Sequence, residues 1–212
     1  MYTPSHFEES RLPVLHKLMQ DHPFAAVVAV TADGLQANHV PVLLEATRGA
    51  LGTLQGHIAR ANSMWQQIAG DAEVLAIFQG ANHYISPTWY PSKVEHGRVV
   101  PTWNYVAVHA RGRIAWIHDK DWLRSFLGAL TNHHERNHAV PWHVSDAPQE
   151  YLQRMLGAIV GFEISITHIT GSWKLSQNRS EPDRAGVIAA LSAHTDDASR
   201  DMASLIDGTR RR

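Results

Sequence analysis

The chain of 212 residues contains no cysteine, which excludes disulfide bonds and thiolate chemistry. Its longest purely apolar run, residues 24–30, is far shorter than the roughly 20 residues that a membrane-spanning helix needs. The first residues also lack the basic segment and apolar stretch of a secretory signal. We therefore expect, by default, a cytoplasmic protein that does not enter a membrane.

An excess of charge of either sign is absent too. The formal net charge is −1 and the isoelectric point is near 7.0, so the chain has no electrostatic footprint for nucleic acid. The only basic run, Arg210–Arg212, is expected to be a disordered tail. No helix-turn-helix pattern is recognisable. Direct DNA binding therefore has no support from composition and stays an open alternative.

Several common catalytic motifs are missing. The sequence has no G-x-S-x-G nucleophile elbow, no G-x-G-x-x-G dinucleotide fingerprint and no Walker motif. Residues 134–138 match the zinc pattern H-E-x-x-H, but no third ligand on a supporting element is evident and Pro141 closes the segment. We therefore predict no metal site, and no catalytic residue is identified.

The pattern of apolar residues predicts a mostly β fold with segregated helices (α+β), with mainly antiparallel strands in a small barrel-like meander. Asp33 and Gly34 form a two-residue hairpin signal between two such strands. No linker separates two domains, so we expect one domain over residues 1–212, with helical additions at about 119–157 and 181–207. Strands are predicted at residues 24–31, 35–44, 51–57, 73–79 and 162–169, and a first helix at about 8–20. Residues 102–117 are predicted to form a long strand pair with a bend at Gly112.

Residues 84–105 are the most informative stretch, because tryptophans and tyrosines alternate there with prolines, small hydroxyl residues and Lys93. Proline removes backbone donors and fixes φ, so the segment is too broken for an ordinary core strand. Aromatic faces beside hydroxyls and a cation suit a flat, anionic, aromatic ligand. The alternative is a packing patch stiffened by proline.

Two polar clusters complete the candidate site. Residues 57–63 leave a strand and enter a helix, and they bring Arg60, Asn62 and free helix amides to one corner, which matches a phosphate dianion. The alternative is an arginine in solvent before an asparagine cap. Residues 174–179 form the second cluster, for which a solvated edge strand is the alternative.

These segments together resemble the PaiB-type family of FMN-binding negative transcriptional regulators. The resemblance rests on residues 1–7, 57–62 with Trp65, 84–90, 100–105 and 174–179, in that order along the chain. It implies an antiparallel split β-barrel of the flavin-reductase type with peripheral and C-terminal helices. It also implies FMN in a groove at the interface of a homodimer, so that one site takes residues from both chains.

The resemblance assigns the phosphate to the corner of Arg60 and Asn62, with Lys93 as a competing partner. It places the isoalloxazine ring on Trp89, Tyr90 or Trp103. Ser86, Thr102 and Asn104 would face the polar edge of the ring, and Lys174 and Gln177 would close the site. The candidate cofactor residues are His57, Arg60, Asn62, Ser86, Trp89, Tyr90, Lys93, Thr102, Trp103, Asn104, Lys174 and Gln177.

Three functions compete at this point. The first is an FMN-binding transcriptional regulator, acting directly or indirectly. The second is an FMN-dependent oxidoreductase, since the flavin itself carries such chemistry, although nothing in the sequence names a donor or acceptor. The third is a haem-binding split barrel, because the chain has 15 histidines that could supply an axial ligand.

Overall fold

The structure, a computed structural model, describes residues 1–209, so the predicted tail at Arg210–Arg212 lies outside the described residues. The strands are β1 (Glu8–Glu9), β2 (Phe24–Thr31), β3 (Gly34–Glu45), β4 (Thr53–Ala59), β5 (Glu73–Ile85), β6 (Thr102–Ile117) and β7 (Ile159–Lys174). The helices are α1 (Leu12–Asp21), α2 (Met64–Gln67), α3 (Ser92–His96), α4 (Lys120–Glu135), α5 (Gln149–Gly157), α6 (Glu181–Ser192) and α7 (Asp197–Gly208).

The strands hydrogen-bond in the order β1-β7-β4-β3-β2-β5-β6, and β7 also pairs with β6. The pairs of β2 with β3, β3 with β4, β2 with β5 and β4 with β7 are antiparallel. The predicted antiparallel α+β class is therefore confirmed. Because β7 pairs with both β4 and β6, six of the strands form a closed circuit of hydrogen bonds.

The β2–β3 hairpin forms where the sequence predicts it. Gly34 has φ +104°, a conformation that the missing Cβ makes accessible, and the Thr31 hydroxyl donates to the Gly34 carbonyl at 3.0 Å. Thr31 pairs with Gly34 and Val30 with Leu35. Alternate residues of β2 are buried, as period-two alternation requires.

The chain divides into two compact units that interleave along the sequence. We call the first the terminal unit: it comprises Met1–Leu18, Gln79–Val108 and the described chain from Thr170 onward. The second, which we call the central unit, comprises Met19–Phe78 and His109–Ile169. The expectation of a single domain stays a prediction.

In the central unit, α4 and α5 pack together over strand residues. The Asp119 side chain caps α4 by accepting a hydrogen bond from the backbone N–H of Trp122 at 2.7 Å. Leu123 of α4 and Leu156 of α5 are fully buried in one cluster. A Cβ on Gly161 would lie 2.4 Å from the Trp122 ring, so glycine lets α4 approach β7 closely.

In the terminal unit, α6 begins with a capped first turn. Ser180 caps the helix by accepting from the Asp183 N–H, and Pro182 lies in the first turn. Val187 and Leu191 are fully buried, so one side of this helix packs into the core.

Several boundaries differ from the prediction. Strand β4 lies two residues later than predicted, and β7 is longer than the predicted strand at both ends. Residues 102–117 form the single strand β6 instead of a strand pair bent at Gly112. The first helix begins at Leu12 because Glu8 and Glu9 pair instead with Ser172 and Gly171 of β7. Strand β5 continues to Ile85, beyond the predicted end at residue 79. Within residues 1–209, no helix is both long and apolar enough to span a bilayer.

Candidate functional site

The twelve predicted cofactor residues divide unequally between the units. His57, Arg60 and Asn62 belong to the central unit. The terminal unit holds the rest: Ser86, Trp89, Tyr90, Lys93, Thr102, Trp103, Asn104, Lys174 and Gln177. We therefore describe each group within its own unit.

Arg60 is hydrogen-bonded to the segment where α5 ends. Its Nε donates to the Gly157 carbonyl and its Nη2 to the Ile159 carbonyl, both at 2.8 Å, while its backbone N–H donates to the Ala158 carbonyl at 2.8 Å. Its Nη1 lies 3.4 Å from His118 Nδ1. A cation among the last carbonyls of a helix offsets the negative end of the helix dipole. The side chain thus has a structural role, and its binding of phosphate stays a prediction.

Asn62 has local hydrogen-bond partners, whereas His57 Nδ1 is buried without one among the described residues. Asn62 Oδ1 accepts from the Met64 N–H at 3.0 Å, and its Nδ2 donates to Asn38 Oδ1 at 2.7 Å. The helix that it precedes is a single turn, so it has little dipole to offer an anion. His57 meets the Phe126 ring edge-on, and burial lowers the pKa of its imidazole.

In the terminal unit, two side chains of β6 form hydrogen bonds with residues at the end of β7 and in the turn that follows it. Lys174 Nζ donates to Thr102 Oγ1 at 2.6 Å. Asn104 Nδ2 donates to Ser176 Oγ at 2.9 Å, and Asn104 Oδ1 is buried without a hydrogen-bond partner. The two conspicuous sequence blocks, residues 100–105 and 174–179, therefore meet through these side chains.

Lys174 is a cation in an electropositive setting. Its Nζ lies 5.9 Å from the centroid of the Phe7 ring. Burial, and then the charge of Arg179, lower the pKa of its ammonium. No carboxylate of residues 1–209 lies within 4.0 Å of it.

A tight turn orders the segment after Lys174. Ser176 has φ +62°, which is uncommon outside glycine. The Gln177 side chain spans the turn: Oε1 accepts from the Leu175 N–H at 2.7 Å and Nε2 donates to the Trp173 carbonyl. Because both ends of this amide are engaged, Gln177 orders the turn that presents Lys174.

The three aromatic candidates have different surroundings. Tyr90 is 2% exposed, with the Arg179 guanidinium 4.9 Å from its ring centroid, so it belongs to the core. Trp89 is half-buried beside His83. Trp103 is 55% exposed and packs edge-on to Tyr84. Alternation along β6 sends Trp103 to the face opposite Thr102 and Asn104, so these residues do not line one surface of a single chain.

Ser86 and Lys93 have different surroundings. Ser86 Oγ accepts from the Thr88 N–H at 3.2 Å and thereby caps the short 3-10 turn Pro87–Trp89. Lys93 lies exposed on α3 and has no ion pair with any residue up to 209. The Ser86 hydroxyl is thus engaged in the turn, whereas the Lys93 ammonium lies at the surface and pairs with no carboxylate of residues 1–209.

An open cleft of about 400 Å³ in the terminal unit borders the same turn. Sequence reasoning assigned only Gln177 among its lining residues. The other lining residues lie in and after β1, near the end of β7 and at the end of the described chain. No local sequence pattern connects these three segments. The lining residues are Glu8, Glu9, Ser10, Arg11, Trp173, Gln177 and Thr209.

The H-E-x-x-H match does not form a metal site. Helix α4 ends at Glu135, so His134 and His138 do not lie on one helix face. The Glu135 carboxylate lies 3.2 Å from His138 Nδ1. Among the residues that the structure describes, no group of three or more potential ligands could hold a metal ion.

Comparisons with known proteins identify relatives over most of the chain. Residues 1–168 match the family model described as "Putative FMN-binding domain". The chain is 31% identical to the protease synthase and sporulation protein PAI 2 of Bacillus subtilis, over 98% of this chain and 97% of that protein. It is also 31% identical to an uncharacterized protein of Emericella nidulans, over 97% of this chain and 96% of the other.

Among solved structures, the FAD and haem binding protein from Mycobacterium smegmatis is similar with a TM-score of 0.57. The match covers 79% of this chain and 73% of that one at 14% sequence identity. At this identity the likeness concerns the fold, and with the strand circuit it confirms the predicted split-barrel architecture.

Proposed function

This chain belongs to the FMN-binding domain family, with PAI 2 of Bacillus subtilis as a full-length relative, and we propose that it is a flavin-dependent regulatory protein. The family assignment confirms the resemblance to PaiB-type proteins and makes FMN the cofactor. It is the single observation that carries the proposal.

The donor set of the terminal unit fits such a cofactor. FMN supplies a flat ring that exchanges electrons and a phosphate that carries negative charge. Lys174 and Thr102 offer an ammonium and a hydroxyl at one point, and Asn104 Oδ1 is an unpaired acceptor. We propose that Lys174 and Thr102 contact the cofactor while Gln177 and Asn104 keep the turn in place.

Purified protein mixed with FMN tests the cofactor. A flavin absorption band that stays with the protein through gel filtration supports the proposal, whereas complete loss of flavin contradicts it. Reduced nicotinamide, added without oxygen, separates a regulator from an oxidoreductase. Bleaching of the bound flavin within seconds would favour the enzyme and count against a purely regulatory role.

The regulatory part rests on the name of this relative, protease synthase and sporulation protein PAI 2. With a net charge of −1, a strong nonspecific affinity for DNA is not expected, so we propose indirect regulation through a protein partner. A gel-shift assay at two salt concentrations checks this point. Tight, salt-sensitive binding would refute the indirect route.

We further propose that the protein forms a homodimer through the outer face of the β2–β3 hairpin. Val30 is 72% exposed and Leu35, its partner across the hairpin, is 77% exposed. Phe24 adds a third exposed apolar side chain on the same hairpin. Adjacent exposed apolar residues on a sheet face mark association surfaces, and a second copy offers an equally apolar face.

Light scattering after gel filtration measures the dimer. Val30→Glu is expected to shift the mass towards one chain of 23.6 kDa, because a carboxylate would be buried without a partner. Val94→Glu, at an exposed valine of α3, is the matched control and should leave the mass unchanged. A monomeric wild-type protein, or equal behaviour of the two variants, contradicts this interface.

A further inference from the structure

A chain of polar contacts in the terminal unit connects β5 to the start of the last helix, α7. His83 lies half-buried near the end of β5. Its Nε2 is 3.0 Å from Ser199 Oγ, and its Nδ1 is 2.6 Å from the Tyr84 carbonyl oxygen. Ser199 is fully buried in the first turn of α7. The imidazole therefore links the helix to the backbone of the strand.

Asp196 caps α7 and engages the hydroxyl proton of Ser199. Its Oδ1 accepts from the Ser199 N–H at 2.9 Å, and its Oδ2 accepts from the Ser199 hydroxyl at 2.8 Å. These hydrogen bonds hold the pKa of the Asp196 carboxyl below its usual range, so near neutral pH this group only accepts. Because Ser199 has a single hydroxyl proton, its Oγ is left as an acceptor towards His83.

These partners determine how many protons the imidazole needs. A carbonyl oxygen only accepts, so the contact with Tyr84 requires a proton on His83 Nδ1. The contact with Ser199 Oγ requires a second proton on Nε2. A neutral imidazole carries one proton, whereas the imidazolium carries two. All the hydrogen bonds from Asp196 to Tyr84 therefore exist together only when His83 is an imidazolium.

His83 has one further titratable ring beside it. The His194 ring centroid lies 6.2 Å away, and His194 Nδ1 lies 4.0 Å from Asp196 Oδ2. The Trp89 ring, 6.1 Å from His83, carries no charge. A protonated His194 repels a proton on His83, while the Asp196 carboxylate attracts it. A test must therefore separate the two histidines.

Helix α7 is also held through its apolar side. Met202 and Ile206 are fully buried, whereas Asp197 and Arg200 pair with each other at the surface. The apolar contacts do not depend on pH between about 5 and 8, the range in which imidazoles ordinarily titrate. The contact with His83 does, because it needs the second proton.

We propose that His83 is a proton-dependent latch between β5 and α7, in which the imidazolium completes the hydrogen bonds from Asp196 to Tyr84. Loss of the second proton leaves one of these bonds unmade and loosens the start of the helix. An imidazole ordinarily loses this proton near pH 6.5, so the attachment is complete below that range and weakens as the pH rises through it. The latch does not depend on the proposed cofactor.

Hydrogen exchange of the full-length protein, corrected for intrinsic rates, measures the attachment. From about pH 5.5 to about pH 7.5, the protection of the first turns of α7 should fall about threefold or more relative to that of β2. Ser199→Ala removes the hydroxyl and should show no such fall. Circular dichroism verifies that each variant is folded. Equal relative protection of the wild type at both pH values would overturn the latch.

Asp196→Asn reverses one hydrogen bond and is the sharpest variant. Asparagine caps helices as well as aspartate does, but its amide N–H would donate to Ser199 Oγ and free the hydroxyl proton for a neutral His83. The relative protection of α7 should then not fall towards pH 7.5. His194→Gln is the matched control and should keep the wild-type fall. A wild-type fall in Asp196→Asn, or its loss in His194→Gln, would refute the role of His83.

Discussion

Replacing Arg60 with methionine separates the structural role seen here from the phosphate role that the sequence predicts. Methionine keeps an unbranched apolar stem but removes the guanidinium. The change deletes the hydrogen bonds to the Gly157 and Ile159 carbonyls, each 2.8 Å long. It leaves intact the backbone hydrogen bond from residue 60 to Ala158. The side-chain attachment of the α5 terminus is lost, together with the weaker contacts of the guanidinium with His118 Nδ1 and the Trp65 ring.

The expected loss of stability follows from these contacts. Each hydrogen bond contributes about 1 kcal/mol net, since the side chain is partly exposed to water. Removing a cation from the helix C-terminus costs about 0.3–1 kcal/mol more. The sum is about 2–3 kcal/mol. For a chain of this size, 1 kcal/mol lowers the melting temperature by about 2–4 °C, so a decrease of about 5–10 °C is expected.

Thermal unfolding followed by circular dichroism measures this decrease. Arg98→Met is the matched control, because the Arg98 guanidinium makes no hydrogen bond or ion pair that the described chain shows, and its melting temperature should not change. The FMN affinity of folded Arg60→Met should equal that of the wild type. A variant that melts normally but binds FMN about tenfold more weakly would refute this reasoning and establish Arg60 as the phosphate ligand.

Replacing two glycines with alanine is expected to change stability in opposite directions. A Cβ on Gly112 would lie 2.3 Å from the Ser165 carbonyl oxygen, so Gly112→Ala should lower the free energy of unfolding by about 1–3 kcal/mol. A Cβ on Gly128 in α4 would meet nothing within 4 Å, so Gly128→Ala should raise the free energy of unfolding by up to about 1 kcal/mol. Urea titration measures both variants, and equal effects of the two substitutions would contradict the packing described for Gly112. Burial lowers the pKa of His57 below its ordinary value of about 6.5. As the pH falls, the unfolded chain therefore binds a proton at this residue before the folded chain does. The free energy of unfolding of the wild type consequently decreases from about pH 6.5 down to the folded pKa. His57→Leu should lack this part of the pH dependence, at most about 1.4 kcal/mol per pH unit, and identical slopes between pH 7.5 and 5 would show that the imidazole is not desolvated.

Local interactions explain why much of the fold could be predicted. The hairpin at Gly34 depends on a conformation that glycine adopts readily, and the caps Asp119 and Ser180 bond to N–H groups three residues away. Such features are complete within a few residues. Their signals are therefore present in any short window of the sequence.

Strand ends were less predictable, because pairing partners decide them. The segment Glu8–Glu9 has helix-compatible residues, yet it pairs with Ser172 and Gly171, more than a hundred and fifty positions away. Likewise, β5 extends past residue 79 into the aromatic segment. The energy of a strand lies in its ladder, which no local window contains.

The candidate site shows the same division. The sequence alone determined the chemistry: aromatic rings, hydroxyls, amides and cations in blocks typical of an FMN-binding family. Only the tertiary structure decided the partner of each group. It joined Lys174 to Thr102, 72 positions earlier, and bonded Arg60 to carbonyls 97 and 99 positions later. A charged side chain binds whichever acceptor the folded backbone brings within about 3 Å, and that choice depends on long-range packing.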